Sequence, residues 1–254
     1  MRTLDEIFRF LCDLAPLELQ MDFDNSGHLV GRRQAPIRTA LLALDITDEV
    51  IDEAIDEGAE LIISHHPVIF HKLSSVSDAD GSTYVLRMAE HGIAAICMHT
   101  NLDIAEGGVN DVLLGLLGAS CEAVLDPAGC GRVGTLPSPV PLNDFLRRCK
   151  TLLNVNGLRY YDAGKPVCRL AVMGGAGGDA LFDAWRKGCD TYLTADVKYH
   201  QFLEAARLGI NLIDADHFCT ENPVIPVLAG KLSVAFPDVR FKVSERHRAV
   251  VSFL

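Results

Sequence analysis

The chain has 254 residues, 49% of them hydrophobic, and a formal net charge of −11 at neutral pH. That length suits one large domain or two small ones, and about 70–75% of the unfolded surface should be buried on folding. The acidity argues against nonspecific binding to duplex nucleic acid, which needs a basic field to displace counterions. It leaves room for a small anionic substrate, because a bound metal reverses the local field.

The opening stretch MRTLDEIFRFLCDLAP reads as an amphipathic helix. Its Asp5, Glu6, Arg9 and Asp13 rule it out as a signal-peptide core. No run approaches the ~20 apolar residues of a membrane span, so no membrane partner is expected. The eight cysteines are scattered without a CxxC pair, which points to buried, reduced thiols and a cytoplasmic protein. MDFDNSGHLVGRR then reads as a loop. IRTALLALD (37–45) is a strand, followed by a helix over TDEVIDEAIDEG, with Thr47 as N-cap and Gly58 as stop. ELIIS is a strand, STYVLRMAEHG a helix, IAAICMH a strand and GGVNDVLLGLLG a helix. The second half repeats the rhythm: strand CRLAVMGG, helix DALFDAWRKG, strand CDTYLTAD, helix KYHQFLEAARLG, strand INLIDAD and helix TENPVIPVLAGKL, with Pro223 in its first turn. This alternation predicts an α/β fold with a mostly parallel sheet covered by helices.

Shifted by 130 positions, residues 41–67 lie on 171–197 without a gap. Ile51 meets Leu181, Gly58 meets Gly188, and His65–His66 meet Ala195–Asp196. HGIAAICMHTN (91–101) pairs with LGINLIDADHF (208–218), one extra residue preceding His217. Two readings stand: a chance likeness of βα units, or two similar α/β lobes. In the second, the carboxyl ends of the strands would meet in a ligand-binding crevice.

Four polar clusters close apolar strands: Ser64-His65-His66, HTNLD (99–103), TADVKYH (194–200) and DADHFCTE (214–221). His, Asp and Glu without cysteine is the ligand set of a hydrolytic divalent centre, not of a structural zinc site. His99 with Asp103, and His217 with Glu221, are spaced i, i+4 and share a face if helical. Adjacent imidazoles on a strand would point to opposite faces, so His65 and His66 imply a turn or two targets. Two ions side by side would satisfy both, with Asp103 and Glu221 bridging or terminating them. Ions ~3.5–4 Å apart clamp a water and lower its pKa toward neutrality. His99 could instead be a core or supporting histidine, and Asp214 and Asp216 could be capping or solvated. Lys198 and His200 begin a helix or hold an anionic group. GGAGGD (174–179) is either an anion cradle of free N–H groups or a tight turn. His28, His71, His91 and His247 belong to no cluster and read as surface residues.

In order along the chain, FDNSGHLVG (23–31), ISHHPVIF (63–70), HTNLDIAEGGVND (99–111) and TADVKYHQFLEAARLGINLIDADHFCTE (194–221) resemble the signature blocks of the NIF-three-like family. Members are commonly labelled GTP cyclohydrolase 1 type 2 homologues, and the length matches the compact form without an inserted domain. The resemblance implies two interlinked, similar α/β lobes with a dinuclear metal site in the cleft between them. It implies lobes at 1–125 and 126–216, with a C-terminal helix and strands (217–254) packing back towards the first. Matched position by position, it implies the ligands His65, His66, Asp103, His217 and Glu221 for two divalent ions per chain: zinc, iron, manganese or nickel. Toroidal homohexamers are typical of the family. One block departs from its pattern: Phe23 stands where tryptophan is usual, and Ser26 and His28 are polar.

The leading expectation is a metal-dependent hydrolase of a nucleotide or similar small heterocycle, with His99 or His200 carrying protons. The alternative is a non-catalytic metallated protein that recognises a protein or nucleic-acid partner. Metal storage ranks below both.

Overall fold

The computed structural model describes residues 2–79 and 82–254; Met1, which the helix reading included, lies outside them. The chain forms two compact units. The first runs to Glu106 and takes back Ile225–Arg248; the second holds Gly107–Val224 and Ala249–Leu254.

In the first unit β1 (Arg2–Thr3) leads into α1 (Leu4–Leu14), where Thr3 and Glu6 close a reciprocal capping box. There follow β2 (Gly27–Val30), β3 (Pro36–Ile37), β4 (Thr39–Ala43), α2 (Asp48–Asp56), β5 (Leu61–Ser64), α3 (Thr83–Glu90), β6 (Ala94–Cys97) and α4 (Thr100–Ile104). The second unit contains α5 (Val109–Leu116), β7 (Ser120–Val124), β8 (Arg132–Val140), α6 (Leu142–Leu152), β9 (Arg159–Tyr161), β10 (Val167–Val172) and α7 (Leu181–Arg186). It continues with β11 (Thr191–Thr194), α8 (Tyr199–Leu208), β12 (Asn211–Asp214) and α9 (His217–Glu221). The chain then forms α10 (Val224–Ala235) and β13 (Arg240–Val243).

The first sheet has the order β13-β4-β5-β6-β2, parallel except for β2. Every residue of β5 is buried, as expected of a parallel strand covered on both faces. Ile62 and Ile63 are at most 1% exposed, and each contributes about 1.5–3 kcal/mol by leaving water. Leu41, Val50, Ile51, Ala54, Ile62, Met88 and Ala95 form the core under α2 and α3. In register, Ala43 pairs with Ser64 and Ser64 with Cys97. The three carboxyl ends are therefore level, and the segments that follow emerge side by side.

The second sheet has the order β7-β8-β10-β11-β12-β9. Only β10-β11-β12 are parallel, so the sheet is mixed, not mostly parallel as the rhythm predicted. The antiparallel members are the ones composition hides. Pro137 and Pro139 in β8 argue against a strand, yet they fall where the ladder with β10 shifts register. Likewise β2 lies inside the stretch read as a loop. The C-terminal helix is also divided: α9 ends at Glu221 and α10 starts after Pro223, with Pro226 in its first turn.

The 130-residue offset corresponds to equivalent elements. Ile51 and Leu181 are both helical and buried, and Gly58 and Gly188 end their helices at φ +63° and +73°. β5 and β11 coincide end to end under the shift, so each unit contains the same strand–helix–strand run. The unit limits differ from 125 and 216. Leu113, Leu114 and Leu117 share a core with Phe145, Leu146 and Leu170, which places α5 in the second unit. Cys219 packs in that core too, so α9 belongs there, and only the stretch from Ile225 returns. Among the described residues, no helix is long and apolar enough to cross a membrane.

Candidate metal centre

At the carboxyl end of β5 the backbone turns at once. The amides of His65 and His66 both donate to the carbonyl of Leu44, at 3.1 and 2.9 Å, and Ser64 Oγ donates to the carbonyl of His66 at 2.7 Å. This turn lets neighbouring imidazoles share one side, with ring centroids 4.9 Å apart. His99 follows β6 and precedes α4; its ring lies 5.1 Å from that of His65 and 5.3 Å from that of His66. One nitrogen from each of the three falls within 4.8 Å of the others. Asp103, on α4, brings Oδ1 to 3.6 Å from Nε2 of His65. His65 is fully buried and Asp103 nearly so.

The second unit has a matching arrangement. His217 and Glu221 stand one turn apart on α9, with Nε2 3.1 Å from Oε2. Asp216 caps this short helix by accepting from the amide of Cys219 at 3.0 Å, and Asp214 is buried, accepting from the amide of Val197. Both aspartates are thus structural.

In all four histidines Nδ1 meets an acceptor that has no proton to give. His65 faces the carbonyl of Met98 at 2.8 Å, His66 Asp45 at 2.6 Å, His99 Asp24 at 2.7 Å, and His217 Asp196 at 2.7 Å. Each Nδ1 must therefore carry the hydrogen, so that in the neutral imidazole the lone pair lies on Nε2; in His217 Nε2 also faces Glu221 and holds a proton that a metal would have to displace. Carboxylate or carbonyl behind imidazole is the usual support of a metal-ligating histidine.

The sequence reading did not identify these supports. Asp24, whose side chain is fully buried, also accepts from Thr100 and from Asn25 N, and Ser26 Oγ donates to it while accepting from His99 N. The polar Ser26 that departs from the family pattern therefore orders this corner. Burial pushes the Asp24 carboxyl up, but the bonds from His99 and Thr100 outweigh it and hold it well below the usual carboxylate range. Asp45 behaves alike: burial raises it, and the bonds from His247 and His66 more than reverse that. For His217 burial lowers the pKa, but Glu221 and Asp196 prevail and raise it to about 9. The available signal was weak, an acid one or two residues past a strand, as in LALD and LTAD.

The residues fit a divalent ion. The donors are imidazole nitrogens and carboxylate oxygens, which suit zinc, iron, manganese or nickel. Gly175, at φ +66°, leaves the space in front of α9 open: a Cβ there would lie 2.1 Å from Glu221 Oε1 and 3.1 Å from His217 Nε2. The glycine-rich stretch is a tight turn and not an anion cradle. The amides of Gly174, Gly175 and Gly177 donate to Asn110, Thr220 and Thr194. His200 is exposed on the first turn of α8, and none of the described contacts joins it to either cluster. His71 and His91 are exposed as expected, His28 is half-buried, and His247 is not a surface residue: its side chain is only 8% exposed, against Asp45.

Fold and donor sets together define an α/β protein with His/carboxylate clusters of metal-ligand type at the carboxyl ends of parallel strands. The chain belongs to the Duf34/NIF3 (NGG1p interacting factor 3) family, whose model matches residues 2–249. The Clostridium perfringens protein named GTP cyclohydrolase 1 type 2 homolog is 35% identical, the match covering 99% of each chain. The protein of the same name from Clostridium acetobutylicum is 36% identical over 88% of this chain and 87% of that one. The crystal structure of a Bacillus cereus protein related to NIF3 has the same fold, with a TM-score of 0.92 at 24% identity, covering 100% of this chain and 99% of that one.

Proposed function

We propose that the protein is a metal-dependent hydrolase of a nucleotide or similar small heterocycle. In this reading His65, His66, Asp103, His217 and Glu221 are the ligands of two divalent ions. The observation that carries it is the common orientation of the imidazoles, each with Nδ1 committed to an acceptor and Nε2 turned to the opposite side of the ring. Bound divalent ions would supply Lewis acidity and a water ionised near neutral pH. His99, fixed by Asp24, is placed to take or return a proton through Nε2; His200 is the second candidate for that role. Phe23 and Phe70, 67% and 40% exposed with centroids 6.5 Å apart, offer an aromatic surface for a planar ring, and Phe70 lies 6.3 Å from His99.

The test is turnover of a nucleotide panel by protein of defined metal content, with His66→Ala as the blank. Hydrolysis by the wild type alone supports the reading, and equal rates from both refute it for those substrates. The family description, an interacting factor, supports a second reading in which the metallated protein binds a protein or nucleic-acid partner without turnover. Eight free thiols support a reducing, cytoplasmic setting. A homohexamer is the assembly proposed, and mass measurement in solution at six times the chain mass would support it.

A further inference from the structure

The last strand of the first unit ends in a short segment with an unusual anchor. Glu53 on α2 is a carboxylate only 3% exposed. It accepts from Ser244 Oγ at 2.5 Å, from the amide of Glu245 at 3.0 Å and from the amide of Arg246 at 3.1 Å. Ser244 N donates to the carbonyl of Leu42 on β4, and Lys242 pairs with Glu57. Arg246 pairs with Asp56, and Ser244 Oγ accepts from His247 N. A buried carboxylate that collects several backbone donors fixes the path of a segment which would otherwise be an exposed tail.

What this path delivers is His247. Its Nε2 lies 3.2 Å from Asp45 Oδ2, while the other oxygen of Asp45 accepts from His66 Nδ1 at 2.6 Å. Asp45 is thus gripped at both oxygens by two imidazoles, one following β5 and one from the segment after β13. The side chain of Asp45 is 40% exposed, and its position depends on those grips. A carboxylate behind a ligating imidazole sets the ring's orientation and basicity, and losing such a support typically costs about 10–100-fold in metal affinity.

We propose that His247 is a positioning residue for the metal ligand His66, acting through Asp45 and held in place by Glu53. The inference rests on the metal-binding reading given above. His247 acts at one remove and touches neither ion nor substrate.

The full-length protein is titrated with cobalt(II) against a competing chelator, and the visible absorption of the cobalt is recorded. His247→Ala should weaken binding of one ion by about 10–100-fold and alter its absorption bands. His247→Gln, whose amide nitrogen can take the place of Nε2, should stay within a few-fold of wild type. Glu53→Gln should reproduce the His247→Ala loss, and the double variant should lose no more than either alone, because both act on one linkage. Wild-type affinity and bands in His247→Ala would overturn the proposal. So would equal losses from His247→Ala and His247→Gln, which would mean a packing role. Failure of the underlying reading looks different: wild type would bind no cobalt, or His66→Ala would bind as wild type does.

Discussion

Gly175 shows how closely a single backbone position serves the His217–Glu221 pair. It adopts φ +66° and would place a Cβ 2.1 Å from Glu221 Oε1. Gly175→Ala should destabilise the chain by about 1–2 kcal/mol through left-handed backbone strain alone, and should also weaken metal binding by pushing Glu221 aside. Thermal melts and a metal titration check the two effects separately, and wild-type behaviour in both would contradict the geometry. Asp24 offers a second test. Its fully buried carboxylate accepts charge-assisted bonds, so Asp24→Asn should cost about 1.5–3 kcal/mol at pH 7. The folded-state pKa is depressed. The stability it confers is therefore present above the unfolded value of about 3.9 and is lost as pH falls below it. Denaturant unfolding of both proteins from pH 7 to pH 3 should show the difference shrinking at the acid end. A constant difference would mean that charge is not its source.

At the scale of elements, α9 is five residues long and carries two ligand candidates. A helix that short is marginal by itself, so its ends matter. Asp216 caps it from φ +68°. Asp216→Ala loses the cap and keeps the strain, whereas Asp216→Gly loses the cap and relieves the strain. The alanine variant should therefore be the less stable by about 1 kcal/mol or more, since glycine costs little at an N-cap and is free of the left-handed penalty. Unfolding free energies in the opposite order would show that the cap conformation is not under strain. The element scale is also where the sequence was most legible. The 3.6 and 2.0 periodicities located β4, α2, β5, β6, β10, α7, β11, α8 and β12. They missed β1, β2, β3, β7, β8, β9, β13 and the helix α6; the edge strands β2, β7, β9 and β13 are short and have little apolar pattern, and β8 is interrupted by prolines.

For the whole molecule, the linkage between protons and metal follows from His217. With its pKa raised to about 9, the imidazolium contributes stability fully present below the unfolded value of about 6.5 and lost as pH rises through 9. A divalent ion that binds Nε2 must displace that proton. Metal binding at pH 7.5 should therefore release close to one proton from this residue, measurable from the buffer dependence of the binding enthalpy. The release should fall away above pH 9.5, and apparent affinity should climb between pH 7 and 9. Binding that releases the same number of protons at pH 7.5 and at pH 9.5 would exclude His217 as a ligand.

The residue types and their places at strand ends were open to reading from the sequence by itself. Apolar runs closed by His, Asp and Glu mark a parallel strand and a polar site at its carboxyl end, because burial and chain direction are local properties. The internal repeat was legible for the same reason. Only the tertiary structure decided which acids stand behind which imidazoles. Asp24 reaches His99 across 75 positions, Asp45 reaches His66 across 21, and Asp196 reaches His217 across 21. His247 meets Asp45 from the far end of the chain, and reads as an ordinary surface residue until β13 pairs with β4. Hydrogen bonds depend on distance in space, and sheet register, set by burial of whole strands, brings these pairs within reach.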